Sequence, residues 1–142
     1  MKTILVTGST GAGKSTLLAR LAGQNRMTII DPFLPAASKA WQEPTDATCG
    51  GIVIDHVRYL DNAKAVVSAA ARWCDEHSVS LWLGEIWRGG LESKGIAIPD
   101  DAIELHLERD ANGEPEAPVA GQRTVGNLHQ MLLLAQQIAA PV

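Results

Sequence analysis

The sequence has little of what would place it in several familiar classes of protein. Its two cysteines, Cys49 and Cys74, belong to no Cys-x-x-Cys pair and no Cys/His cluster, so neither a zinc ribbon nor a disulfide framework is expected. No apolar run reaches the roughly 18 residues that a membrane span requires. The apolar stretch before Gly8 is too short for a secretory signal. The net charge of −4 gives no strongly basic footprint of the kind that DNA-binding domains carry. We therefore expect a cytoplasmic protein without a membrane span.

What is present is enough apolar sequence for one well-packed domain. The chain has 142 residues, 46% of them apolar, and we expect a single domain over residues 1–142. β-branched and apolar runs predict strands at residues 2–7, 27–30, 52–55, 79–83 and 102–107. Apolar spacing typical of helices occurs at residues 15–22, 62–77 and 125–140, and prolines delimit a further helix at 35–43. This alternation predicts an α/β three-layer sandwich, in which helices cover both faces of a five-stranded, mainly parallel sheet.

A glycine-rich stretch, GSTGAGKST, follows the first predicted strand and opens the first predicted helix. It matches G-x-x-x-x-G-K-[S/T], the P-loop or Walker A motif, at every fixed position. Such a loop and the helix behind it bind phosphate through backbone N–H groups. We expect Lys14 to contact the β- and γ-phosphates of ATP, Ser15 to offer its hydroxyl to Mg²⁺, and Thr16 to contact the α-phosphate. The predicted nucleotide-binding residues are Gly8, Ser9, Thr10, Gly11, Ala12, Gly13, Lys14, Ser15 and Thr16.

A second motif, which ends in an acidic residue, lies at the end of the third predicted strand. The run IVID places three apolar residues before Asp55, which is the pattern of a Walker B carboxylate. In that role Asp55 holds the water shell of Mg²⁺ opposite Ser15. The predicted metal-binding residues are therefore Ser15 and Asp55.

The order of these motifs resembles the core of the FtsK/HerA-type ATPases, which belong to the RecA-like, additional-strand class of P-loop proteins. The resemblance covers about residues 1–109 and rests on the P-loop, TIIDP at 28–32, IVID at 52–55 and VSLWLGE at 79–85. It implies the strand order 5-1-4-3-2, assembly into a homo-oligomeric ring, and ATP-driven translocation or packaging of a polymer such as DNA. In a ring, Arg88 or Arg123 could serve a neighbouring active site as an arginine finger.

One departure from the family leaves the catalytic base open. Members of this class usually carry Glu after the Walker B Asp, to activate the attacking water, but His56 stands there. The carboxylates of Asp31 and Glu85 follow the second and fourth predicted strands, at the sheet edge where ligands bind. We favour Glu85, which lies near the γ-phosphate if the fourth strand separates the first from the third. Asp31 and His56 are the alternative bases.

Two other functions fit the same motifs. A small-molecule kinase uses the same loop, and Asp31 would then hold the acceptor hydroxyl. No arginine-rich lid segment is evident between residues 89 and 125, which disfavours this function. A nucleotide-binding switch or an inactive ATPase subunit is suggested by His56 in place of Glu.

Overall fold

The computed structural model describes residues 2–33, 40–46 and 48–140. Within these residues the strands are β1 Thr3–Gly8, β2 Thr28–Ile30, β3 Gly51–Ile54, β4 Ser80–Gly84, β5 Ile103–Leu107 and β6 Arg123–Gly126. The α-helices are α1 Lys14–Asn25, α2 Ala63–His77, α3 Arg88–Glu92 and α4 Leu128–Ala139, and a 3-10 turn at Val57–Tyr59 follows β3. No described helix is long and apolar enough to cross a membrane.

The strands form one sheet in the order β2-β3-β4-β1-β5-β6, and every neighbouring pair is parallel. β1 is central, and all six of its residues are buried, as expected for an apolar strand covered on both faces. β4 lies between β1 and β3, which is the arrangement that the family resemblance implies. The carboxyl ends of β1, β4 and β3 therefore meet side by side at one edge of the sheet.

The predicted count of five strands was wrong, because residues 123–126 form a sixth strand that pairs with β5. The last helix was correspondingly predicted too long, since Val125 belongs to β6 and the helix begins only at Leu128. A capping box fixes this start: the Asn127 side chain accepts from Gln130 N, and the Gln130 side chain accepts from Asn127 N, both at 3.0 Å. The sequence Asn-x-x-Gln was the signal for that boundary.

Two further segments differ from expectation or fall outside the described residues. No helix was predicted directly after β4, but the stretch there contains the short helix α3, whose Leu91 is fully buried. Of the helix predicted at 35–43, residues 35–39 lie outside the described part of the chain, and residues 40–43 are not helical.

The helices sit on both faces of the sheet, as predicted. α1 and α4 cover one face, with Leu17, Leu18 and Leu21 of α1 beside Met131 and Ala135 of α4. α2 and α3 cover the other face, where the buried residues include Val66, Ala70, Trp73 and Leu91. Burial of each leucine of α1 contributes about 1.5–3 kcal/mol. Helices packed on both faces of the sheet therefore hold in place the sheet edge at which the candidate site lies.

Candidate functional site

Residues 8–16 link β1 to α1 and are called the glycine loop below. Gly8, Gly11 and Gly13 have φ values of 142°, 87° and 107°, a region that side-chain-bearing residues rarely adopt. A Cβ on Gly8 would lie 2.5 Å from the carbonyl oxygen of Leu107, and one on Gly13 would lie 3.1 Å from Leu128. Both conformation and space therefore demand glycine at the fixed glycines of the sequence motif.

A positive charge and a helix N-terminus meet at the glycine loop. Among the described residues, no side chain caps α1 at Gly13, and its first turn holds no acidic residue. The Lys14 ammonium donates to the carbonyl oxygens of Gly8 at 2.6 Å and Ser9 at 3.0 Å. Partial burial lowers the pKa of Lys14, while the nearby carboxylates of Asp55 and Glu85 act in the opposite direction. The loop can therefore accept a polyanion.

Asp55 immediately follows β3 and faces the start of α1. Its Oδ2 accepts a hydrogen bond from the Ser15 hydroxyl at 2.7 Å, and its Oδ1 accepts from the backbone N–H of His56 at 2.8 Å. Asp55 is only 3% exposed, and Gly84 of β4 leaves the space beside it, since a Cβ there would lie 2.4 Å from Oδ1. A hydroxyl and a carboxylate are hard oxygen ligands, so the pair fits Mg²⁺.

Glu85 immediately follows β4 and is also 3% exposed. Its Oε1 accepts from Ile86 N at 2.7 Å, and its Oε2 accepts from Arg58 N at 3.1 Å. The Arg58 guanidinium lies 3.6 Å from the same carboxylate. Glu85 and Lys14 line one cavity, so the favoured candidate base lies beside the glycine loop. Its catalytic role stays a prediction.

His56 and Asp31 are in direct contact. His56 has a left-handed backbone, with φ 51° and ψ 45°, and its Nδ1 lies 3.0 Å from Asp31 Oδ1. That oxygen also accepts from Phe33 N at 2.9 Å. His56 lines the cavity, whereas the 3% exposed Asp31 contacts His56 without being a cavity-lining residue. The two alternative bases from the sequence are therefore one connected pair.

The cavity has a volume of about 390 Å³ and two walls of different character. One wall is the glycine loop with the start of α1. The other includes Phe33, Arg58 and Tyr59, none of which was expected from the sequence. The rings of Phe33 and Tyr59 lie 4.8 Å apart, and the Arg58 guanidinium lies 4.8 Å from the Tyr59 ring centre. The run HVRYL directly after β3 was a signal for Arg58 and Tyr59, but no sequence signal joined Phe33 to them.

The two candidate arginine fingers do not line this cavity. Arg88 Nε donates to Glu92, one turn later in α3, at 3.1 Å. Arg123 Nε donates to the buried carboxylate of Glu104 at 2.8 Å. Neither arginine lines the cavity, so any contribution to phosphoryl transfer would have to be made to another copy of the chain.

Comparisons with protein-family models, with curated proteins and with solved structures find no match. The function is therefore inferred from the side chains and their arrangement.

Proposed function

We propose that the chain is a P-loop NTPase that binds ATP with Mg²⁺ at the glycine loop and hydrolyses it. The observation that carries this proposal is the convergence of Lys14, the Ser15–Asp55 pair and Glu85 on one cavity. Lys14 and the α1 N-terminus would hold the β- and γ-phosphates, and the Ser15 and Asp55 oxygens would hold Mg²⁺ and its waters.

The position of β4 supports hydrolysis. Since β4 adjoins β1, Glu85 leaves the sheet one strand away from the glycine loop. In the proposed step, Glu85 accepts a proton from water as the water oxygen bonds to the γ-phosphorus. The bond from that phosphorus to the bridging oxygen breaks, which leaves ADP and inorganic phosphate.

We further propose that hydrolysis drives movement or assembly of a polymer, with DNA as the leading candidate. The support is the resemblance to FtsK/HerA-type ATPases, together with the strand order that this resemblance implies and the sheet has. A homo-oligomeric ring would let Arg88 or Arg123 of one copy reach the nucleotide of the next.

A small-molecule kinase is the second candidate, and the aromatic wall of the cavity favours it. Phe33 and Tyr59 are 56% and 50% exposed, and Arg58 lies between Tyr59 and Glu85. Two rings beside a guanidinium could bind a planar, anionic acceptor next to the transferred phosphoryl group.

Product analysis separates these functions. ADP and phosphate are measured after incubation with ATP and Mg²⁺, alone, with DNA, and with a panel of hydroxylated acceptors. DNA-stimulated phosphate release supports the motor. ADP that forms only with an acceptor, without free phosphate, supports the kinase. Tight ATP binding without either product supports the nucleotide-binding switch.

Lys14→Ala tests nucleotide binding itself. Loss of a charge-assisted contact of roughly 1.5–3 kcal/mol should weaken ATP binding about ten- to a hundredfold in calorimetry. Lys64→Ala is the matched control, because Lys64 is an exposed lysine on α2 and its loss should leave ATP affinity unchanged. Equal ATP affinities of the two variants would refute the proposed use of the loop.

A further inference from the structure

Three potential metal ligands converge beside the proposed nucleotide site. Asp31 follows β2, and Asp55 and His56 follow the neighbouring β3. One ligand atom from each lies within 4.8 Å of the other two. His56 Nδ1 is 3.0 Å from Asp31 Oδ1 and 3.6 Å from Asp55 Oδ2. These residues are called the Asp31–Asp55–His56 cluster.

The charge of this cluster favours a bound cation. Asp31 and Asp55 are each 3% exposed, and two buried carboxylates close together destabilise one another unless a positive charge compensates them. Arg58 is paired with Glu85, and Lys14, which lies near Asp55, gives its hydrogen bonds to loop carbonyl oxygens. Among the described basic side chains, His56 is the one within ion-pair distance of either aspartate. The groups gathered here are thus two buried carboxylates and one imidazole.

We propose that the Asp31–Asp55–His56 cluster binds a transition-metal ion, with Zn²⁺ or Mn²⁺ as the class, separately from the Mg²⁺ of the nucleotide. The donor set decides the class, because imidazole nitrogen suits zinc and other transition metals, whereas Mg²⁺ takes oxygen ligands. Ligands bound at about 2.0–2.2 Å on adjacent positions of one ion lie roughly 3–3.5 Å apart. The separations of 3.0 and 3.6 Å are close to this, and the Asp31 and Asp55 oxygens, which lie within 4.8 Å of each other, would move closer together around the ion.

Asp55 would connect the two metals. Its Oδ2 is 2.7 Å from the Ser15 hydroxyl and 3.6 Å from His56 Nδ1, so one carboxylate faces both sites. Shared carboxylates are typical of paired metals about 3.5–4 Å apart that position water for attack on phosphorus. A metal here would lie beside His56, at the position where the FtsK/HerA-type ATPases that the sequence resembles usually carry Glu. The His56 side chain is 30% exposed and lines the cavity, which gives the ion a route in.

The test is metal binding to the intact chain without nucleotide. Calorimetric titration should show one Zn²⁺ per chain, and Co²⁺ should give the visible absorption of a nitrogen- and oxygen-liganded ion. Mg²⁺ alone should give no comparable binding. His56→Asn should weaken Zn²⁺ binding more than tenfold, because loss even of an outer-shell partner costs 10–100-fold. Asparagine tolerates the left-handed backbone of His56, so this variant should fold.

Asp31→Asn provides a second variant, with the same expected loss, and His129→Asn is the matched control on an exposed position of α4. The proposal is overturned if the wild-type chain binds no Zn²⁺, or if His56→Asn and Asp31→Asn bind it as tightly as the control. Binding through Cys49 or Cys74 would give that second result. The titration contains no ATP, so its failure is distinct from a failure of nucleotide binding in the Lys14→Ala experiment.

Discussion

Gly84→Ala should destabilise the fold, although replacing glycine in a strand usually has the opposite effect. A Cβ at Gly84 would lie 2.4 Å from Asp55 Oδ1 and 2.7 Å from Leu18 Cδ1. One added methyl group would therefore displace the Asp55 carboxylate and disturb the packing of α1 against β4. Overpacking of this kind costs about 1–3 kcal/mol. For a domain of this length, that corresponds to a decrease in Tm of about 2–12 °C.

The assay is chemical and thermal unfolding of Gly84→Ala beside Gly23→Ala. Gly23 lies in α1, and a Cβ added there would meet no described atom within 4 Å, so alanine at this position should stabilise the chain by about 0.5–1 kcal/mol. The two glycine-to-alanine changes should thus have opposite signs. If Gly84→Ala is as stable as the wild type, the close approach of β4 to Asp55 and Leu18 is wrong. In the folded variant, displacement of Asp55 should also raise the Mg²⁺ concentration needed for the proposed ATP hydrolysis.

Two further predictions concern single buried groups. Glu85→Gln should lower turnover by roughly 10²–10⁴ with little change in ATP affinity, since that is the contribution of a general base; lower stability with unchanged turnover would show that Glu85 only accepts the N–H groups of Arg58 and Ile86. Burial raises the pKa of the Cys74 thiol from 9.0 to about 12. The folded protein therefore favours the neutral thiol. The free energy of unfolding has its full value below pH 9 and falls as the pH rises toward 12. In that range the free energy of unfolding of the wild type should fall by up to about 1.4 kcal/mol more per pH unit than that of Cys74→Ala. If the two free energies fall in parallel with pH, the pKa shift is contradicted.

Most of the sheet could be predicted from sequence because its inner strands are continuous apolar runs. ILV in β1 and LWL in β4 are buried throughout, and each is a clear strand signal. β6 carries no such run, since its residues alternate between exposed and buried: Arg123, Thr124, Val125 and Gly126. An edge strand of four residues beside a helix start is easily taken for the beginning of that helix. Its pairing with β5 is a tertiary interaction that local periodicity does not contain.

The glycine loop could be predicted because its chemistry is local, whereas the opposite wall of the cavity could not. Gly8, Gly13 and Lys14 stand at fixed spacing within seven consecutive residues, and the glycines themselves indicate the positive φ angles that the loop adopts. Phe33 and Tyr59 are 26 residues apart in sequence, and they meet only because β2 and β3 are neighbours. No motif spacing encodes such a contact.

The strand order also decides how the three acidic candidates relate to one another. Sequence places Asp31, Asp55 and Glu85 each directly after a strand, but it does not say which strands are adjacent. The order β2-β3-β4 puts all three carboxylates along one continuous stretch of the sheet edge. His56, directly after β3, then contacts Asp31 and Asp55, while Glu85 accepts from the backbone N–H groups of Arg58 and Ile86. Substituting Asp31 or His56 therefore removes a contact of the other residue as well, whereas the side chain of Glu85 contacts Arg58 and Ile86.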